Sequence, residues 1–400
     1  IYTGLKPTLT IVDAELIKSV LQTNFQAFLN RRTLNTHHDL VNNGQFFTDD
    51  GHWKKIRIIT GPTFSSSKLR GMTQVMSRCV DKLVVHLNKV IDKEEGLLQT
   101  KDAIIGLTID VIAATSFATD TNANGSSRTE NAVVKHGLAF FDISPYRALF
   151  FFTMPKWINS FVGVNHFFNP DSFDFATRLM KEIIRQRKSQ NSDGNTKVKY
   201  NDLVQLLMDA YVYENELDNS NFDNLAASME NDKNEEKQSA FGPQSSNKAK
   251  ATLTEDEIVA QAILFFIAVS TCIFELLDSQ IQDRLVAELR QALDHLEPNS
   301  EEYFETVMMG IPYLDAVVKE SMRKYPPVKR LERRVTVEQF QLGNISLKKD
   351  QLVEIPVYAV HHSEEYYNEP ERFNPERFMP ENKHLLVPYT YLPFGSGPRN

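Results

Sequence analysis

The sequence predicts a mostly α protein with small β-sheets, an α+β fold. Three observations carry this. Apolar residues recur at helical spacing through long stretches, at 68–98, 101–118, 170–190 and 281–296. A Thr-x-x-Glu capping box at Thr254–Glu257 opens a run that is apolar on most sides. Strand-like alternation is confined to two places, residues 1–12 and 335–357.

In chain order, residues 1–12 read as a short hairpin, and Asp13 caps a helix running to about Leu21. Residues 24–50 are polar and read as loop, with His37-His38 solvated. Gly51 to Arg57 begins a short helix that Gly61-Pro62 ends. Trp53 and Arg57 are four apart on it and share one face. Ile104 to Ile112 is nearly all apolar and predicts a core helix.

An aromatic cluster follows: Phe140, Phe141, Tyr146, Phe150, Phe151, Phe152, Trp157, Phe161, Phe167 and Phe168, interrupted by Pro145 and Pro155. It suits a hydrophobic core, and equally a roof over a ligand pocket or a surface dipping into lipid, because exposure decides between them. Residues 213–250, rich in Asn, Glu, Ser and Lys, read as a disordered surface insertion without chemistry.

The apolar helix after the capping box runs from Ile258 through Val269 to about Leu277, interrupted by Gln261. Leu285, Leu289 and Leu293 line one face of the next helix. A further helix, Pro312 to Arg323, ends before Pro326-Pro327 and places Glu320 and Arg323 on one face. Val335–Phe340, Gln341–Leu347 and Gln351–Val357 read as a β-meander with a Gly343-Asn344 turn, followed by a structural or solvated pair, His361-His362. Pro393–Asn400, with two prolines and two glycines, forms neither helix nor strand but a tight loop that another group can approach closely.

With 42% apolar and 24% charged residues in 400, the composition is that of a soluble globular core of one large or two or three small domains. A net charge of −8 argues against nucleic acid as the main partner. Two cysteines, Cys79 and Cys272, are too few for a disulfide framework, lie outside any zinc spacing and suggest a reducing, cytosol-facing compartment. No run reaches the ~18 apolar residues that span a bilayer. No Gly-x-Gly-x-x-Gly stands at a strand–helix turn, so the chain itself binds no NADPH.

Phe394, Gly397 and Arg399 fit the pattern Phe-x-x-Gly-x-Arg-x-Cys. Trp53-x-x-x-Arg57, the long apolar helix, Glu320-x-x-Arg323 and Pro375-Glu376-Arg377-Phe378 precede it in that order. In this the sequence resembles the cytochromes P450, over nearly its whole length. Arg330-Leu331-Glu332-Arg333 and Phe394 to Asn400 make it most similar to animal microsomal P450s of the drug- and toxin-oxidising type. The resemblance implies a single P450 domain over 1–400, truncated at both ends. The membrane anchor would lie upstream, and the axial cysteine would follow Asn400 directly.

It implies that Trp53 and Arg57 bind one haem propionate and Arg333 the second, with Ala268, Phe394, Gly397 and Arg399 also at the cofactor. Glu320, Arg323 and Arg377 would form a buried structural triad. No metal ligand is expected within the chain. The family's acid–alcohol pair falls on Ser270 and Thr271 in one alignment and is deleted in another; in neither does a carboxylate stand there.

The implied reaction is haem-thiolate monooxygenation of lipophilic substrates by a protein carrying haem b (iron protoporphyrin IX). Its partners would be NADPH-cytochrome P450 reductase, cytochrome b5 and the membrane surface, at the cytosolic face of the endoplasmic reticulum. The chain as it stands is expected to be inactive. The competing expectation is a non-catalytic P450-like shell that binds lipophilic ligands.

Overall fold

A computed structural model describes the chain except residues 4–5, 33–37, 94–99, 125–130, 141, 143, 155, 165, 193–199, 201, 214–249, 270–278, 299 and 400. It falls into two compact units. One comprises Ile1–Arg32, Asn221–Glu230 and Phe274–Asn400; the other comprises Thr33–Ser220 and Asn231–Ile273.

The first unit is built on a four-stranded sheet. Strands β1 (Tyr2–Thr3) and β2 (Lys6–Thr10) form the expected hairpin, with Tyr2 opposite Pro7. After β2 the chain enters α1 (Ala14–Lys18), whose cap Asp13 accepts the Leu16 N–H at 2.9 Å. The helix does not run on regularly to Leu21. It widens into a π-helical turn at Ser19–Thr23 and then tightens into a 3-10 turn at Phe25–Phe28. Val20, Leu21, Phe25 and Phe28 are buried there, so burying successive apolar residues prevails over α-helical regularity in this stretch.

The predicted meander divides between two sheets. Strands β5 (Leu331–Arg334) and β8 (Leu352–Ile355) pair antiparallel, with Leu331 opposite Ile355. β2 lies parallel on the other side of β8, with Thr8 opposite Leu352, giving the order β1-β2-β8-β5. β6 (Gln339–Leu342) and β7 (Ile345–Lys348) make a separate hairpin. Gly343 turns it at a φ of 56°, in the left-handed region. All four residues of β8 are buried, as a strand flanked on both edges requires. Ile17, Leu21, Phe28, Leu331, Val353, Ile355, Val360 and Leu392 form the core of this unit.

In the second unit the predicted helices appear within a few residues of their expected ends. They are α3 (Asp50–Thr60), α4 (Ser66–Lys93), α5 (Thr100–Phe117) and α9 (Pro170–Ser192). By contrast α2 (Asp39–Asn42), inside the stretch expected to be loop, and α6 (Ala132–Ala139), α7 (Pro145–Thr153), α8 (Lys156–Phe161) and α10 (Leu203–Asp209) are helices that the sequence pattern does not announce. The expected insertion, 213–250, lies outside the described residues except at its ends. There β3 (Tyr211–Tyr213) pairs with β4 (Lys250–Thr252), and Tyr213 stands opposite Lys250.

The apolar helix α11 (Glu255–Val269) opens on a reciprocal capping box. The Thr254 N–H donates to Glu257 Oε2 at 2.7 Å, and the Glu257 N–H donates to Thr254 Oγ1 at 3.2 Å. Ile258, Val259, Ala262 and Ile263 pack into a core with Ile56, Ile59, Ile112, Phe140, Phe173 and Met180. The aromatic cluster serves two purposes. Phe140, Phe151 and Phe168 are buried, whereas Tyr146, Trp157 and Phe161 are 77%, 72% and 90% exposed. Among the described residues no helix is long and apolar enough to cross a membrane.

Candidate functional site

After α12 (Ser279–Leu293) and α13 (Glu301–Met309), the first unit continues with α14 (Pro312–Lys324) and α15 (Val357–His361). Its chemistry-bearing residues are set by α14 and the terminal loop. Pro312 pre-sets the first turn of α14, and its buried face carries Tyr313, Ala316, Val317, Glu320 and Arg323.

The Arg323 fork meets the Glu320 carboxylate in two parallel bonds, Nε to Oε2 at 2.7 Å and Nη2 to Oε1 at 2.9 Å. Both side chains are fully buried. Arg323 spends its other donors on the carbonyls of His361 (2.7 Å) and Pro370 (2.8 Å). Glu320 Oε1 also accepts the Asn374 N–H at 2.8 Å. Arg377 joins the pair, its Nε 3.5 Å from Glu320 Oε1 and its Nη2 donating to the Glu369 carbonyl at 2.9 Å. Glu320, Arg323 and Arg377 therefore come together, and the segment 369–377 is hung from them by its main chain.

The Tyr367 ring lies 5.2 Å from the Arg323 guanidinium. Burial pushes the Tyr367 phenol up to about 12.

The terminal loop turns through two left-handed glycines, Gly395 at φ 100° and Gly397 at φ 75°. A Cβ on Gly397 would stand 2.1 Å from the Leu21 carbonyl oxygen, so only glycine lets the loop pass so close to the main chain. Arg399 is buried and donates from Nη1 to the Leu29 carbonyl at 2.8 Å, while its own carbonyl accepts from Arg31 at 3.3 Å. Phe394 is half exposed.

Arg333, on β5, is 1% exposed. Its Nη1 donates to the Glu332 carbonyl at 3.0 Å, and its Nε has no hydrogen-bond partner among the described residues. Burial, and then the positive charge of Arg399, push it down to about 9. The Glu332 carboxylate pairs with Arg32 at 2.9 Å and with Arg330 at 3.2 Å, and no carboxylate among the described residues pairs with Arg333. A buried guanidinium of this kind beside a second one calls for an anion, and none of the described residues supplies it.

In the second unit α3 carries Trp53, 1% exposed, and Arg57, whose guanidinium burial pushes down. The neighbouring face of α3 is tied to α11: His52 Nε2 lies 2.7 Å from Glu257 Oε1, and Lys55 Nζ 3.3 Å from the same carboxylate. One turn further on, Gln261 interrupts the apolar run for a reason. Its amide donates to the Asn43 carbonyl at 2.9 Å and accepts the Gln45 N–H at 2.9 Å. Ser270 and Thr271 lie outside the described residues, as does His37, and of Ala268 only the helical backbone is described.

Two polar residues that no sequence motif marks, His361 and Gln261, bridge distant main-chain segments. His361 was legible only as half of a histidine pair, and Gln261 only as a lone polar residue in an apolar run.

A family model described as Cytochrome P450 matches residues 1–400. The chain is 32% identical to Cytochrome P450 3A18 of Rattus norvegicus, over all of this chain and 74% of that protein. It is 30% identical to Cytochrome P450 3A27 of Oncorhynchus mykiss, over all of this chain and 72% of that protein. Against Cytochrome P450 3A11 of Mus musculus the identity is 31%, over all of this chain and 73% of that protein. With the Glu320–Arg323–Arg377 cluster, the double-glycine loop and a buried arginine that no acid among the described residues pairs with, these likenesses lead to one conclusion: the chain belongs to the cytochrome P450 family.

Proposed function

We propose that the protein is a haem-thiolate monooxygenase acting on lipophilic substrates, of the xenobiotic, steroid or fatty-acid class, with 1–400 as part of its single P450 domain. The observation that supports this most directly is Arg333, buried beside Arg399 with no acid among the described residues paired to it. A haem propionate is an anion of the required kind, and haem b is the cofactor we assign. When bound, haem supplies the activation of O2, by which one oxygen atom enters the substrate and the other is reduced to water.

The chain's own residues hold and orient. Arg333 and Arg399 offer planar forks matched to a carboxylate. Trp53, through its indole N–H, and Arg57 are assigned to a propionate as well. Glu320, Arg323 and Arg377 stiffen the 369–377 segment, and Gly397 lets the terminal loop close against Leu21. Ala268 and Phe394 are assigned to the cofactor's faces. With no carboxylate beside them in the sequence, the Ser270 and Thr271 hydroxyls are left to hold the proton that reaction at oxygen consumes.

Electrons from NADPH would arrive through a flavoprotein reductase, with cytochrome b5 as a second donor. Tyr146, Leu149, Trp157, Phe161 and Val162, all exposed on or beside α7 and α8, support docking on the cytosolic face of the endoplasmic reticulum membrane.

The test is a haem titration of the full-length protein and its Arg333→Met variant, followed by reduction under carbon monoxide. We expect a thiolate-type Soret band from the parent and haem binding weaker by about 10- to 100-fold in the variant. A parent that binds no haem, or a variant that binds it equally well, overturns the reading.

A further inference from the structure

His361 ends α15 and is fully buried. Both of its ring nitrogens are engaged. The main-chain N–H of Leu392 meets Nε2 at 2.8 Å, and Nδ1 lies 2.9 Å from the carbonyl oxygen of Arg323. A main-chain N–H can only donate, so Nε2 carries no proton. The single proton of the neutral ring then sits on Nδ1 and is donated to Arg323. No other tautomer makes both contacts hydrogen bonds. Burial, which holds the ring down to about 4, agrees with this neutral state.

The two groups that the ring serves are not incidental. The Arg323 carbonyl is one of the last four of α14, which have no acceptor role within the helix. Leu392 is the residue before the Pro393–Asn400 loop, and its carbonyl accepts the Gly395 N–H at 3.2 Å to open the first turn of that loop. Arg323 returns a bond to the His361 carbonyl at 2.7 Å. Tyr391 stacks on the imidazole with ring centroids 5.7 Å apart and planes 14° apart, so the ring cannot swing away from Leu392 without unstacking. Through this one side chain the buried Glu320–Arg323–Arg377 cluster is joined to the peptide from which the terminal loop departs.

We infer that His361 is a positioning residue: its Nδ1-protonated ring sets the register of the terminal loop relative to α14, and so the placement of Arg399 and of whatever cofactor the loop holds. The cofactor part of this statement rests on the haem reading given above; the loop part does not.

The experiment uses the full-length protein and three variants. In His361→Gln the longer amide reaches the Leu392 N–H, in His361→Asn the shorter one reaches only toward Arg323, and in His361→Leu neither bond is made. Hydrogen exchange followed by mass spectrometry reads peptides from 386–399 and from 312–324 separately, and haem titration follows. We expect the Leu variant to exchange about 100-fold faster in the loop peptide, with the α14 peptide changed by less than about 3-fold. We expect Asn to fall near Leu and Gln near the parent, with haem affinity lost in the same order.

Equal loosening of both peptides would make His361 a general core residue and overturn the proposal. Loop loosening with unchanged haem affinity would overturn the positioning role while leaving the haem reading intact. If the parent itself binds no haem, the haem reading fails and the loop peptide alone decides. Should His361→Leu not fold, the Gln and Asn variants decide by the same order, and equal behaviour of the two overturns the proposal.

Discussion

Glu320 receives two parallel hydrogen bonds from Arg323, three residues further along one helix, and water reaches neither side chain. On an exposed helix face such a pair would contribute a few tenths of a kcal/mol. Buried, it is costly to assemble and costlier to break singly. We predict that Glu320→Ala lowers unfolding stability by about 3–5 kcal/mol, because it strands two guanidinium groups and the Asn374 N–H. Glu320→Gln, which keeps an acceptor, should lose less. Chemical denaturation of the two variants checks this, and a loss below about 1 kcal/mol for Ala would show the cluster to be energetically idle.

A second buried pair makes a sharper test in the other unit. Arg187 meets Asp202 in two bonds, at 2.6 and 2.7 Å, and also reaches the Phe117 carbonyl at 3.4 Å. Asp202 has a second duty, capping α10 by accepting the Gln205 N–H at 3.0 Å. Arg187→Met should cost about 3–5 kcal/mol by leaving the carboxylate buried and unpaired. Arg187→Met with Asp202→Asn should recover much of that loss, since the amide carries no charge and still caps the helix. If the double variant is no more stable than the single one, charge burial is not the cause.

Much of the fold was legible because its signals are local. Thr254 and Glu257 are three residues apart, and the capping box read from that spacing is present with both bonds made. The double-glycine loop was legible for the same reason. The rest depended on partners far away in sequence. Gln261 makes sense only once Asn43 and Gln45 are beside it, more than 200 residues away. His361 depends on Arg323 and Leu392, at separations of 38 and 31. Arg333 stood out only through the family resemblance, since nothing in a strand's alternation shows that the nearest acid, Glu332, is taken by Arg32 and Arg330. The aromatic cluster could not be divided into core and surface because Phe161 and Phe168 look alike until exposure separates them.

Acid should expose the buried histidines. Burial, followed by the charge of Arg147 and by His38, holds His166 down to about 4, and burial likewise holds His361 to about 4. In the unfolded chain each takes up a proton near 6.5. Between these values the unfolded state binds more protons than the folded one, so stability falls as pH falls from about 6.5 to about 4 and is unaffected by these groups above that window. The loss should approach 3 kcal/mol for each residue at the acid end, to order of magnitude. His166→Phe, placed among Phe168 and Phe173, should flatten the profile in this window. An unchanged slope in denaturation series at pH 7, 6, 5 and 4 (roughly spanning the window) would show that His166 is not titrating as described.

The terminal loop offers a prediction in which backbone strain and crowding separate. Gly395 and Gly397 both have positive φ, but a Cβ on Gly395 would meet only Leu331 side-chain carbons at 3.5 and 3.6 Å, an ordinary contact. A Cβ on Gly397 would meet the Leu21 carbonyl oxygen at 2.1 Å, and a main-chain atom cannot turn aside as a side chain can. Gly395→Ala should therefore cost the left-handed strain alone, about 1–2 kcal/mol. Gly397→Ala should cost that and more, since the loop must lift away from the Ser19–Thr23 turn, taking with it the bond from Arg399 to Leu29. Gly51→Ala is the control, in the first turn of α3 with nothing within 4 Å and no positive φ, and should be neutral or stabilise by up to about 1 kcal/mol. Thermal unfolding ranks the three variants, and hydrogen exchange in residues 19–29 reports the lifting directly. If Gly397→Ala and Gly395→Ala prove equally mild and residues 19–29 keep their protection, the loop does not depend on its close approach to Leu21.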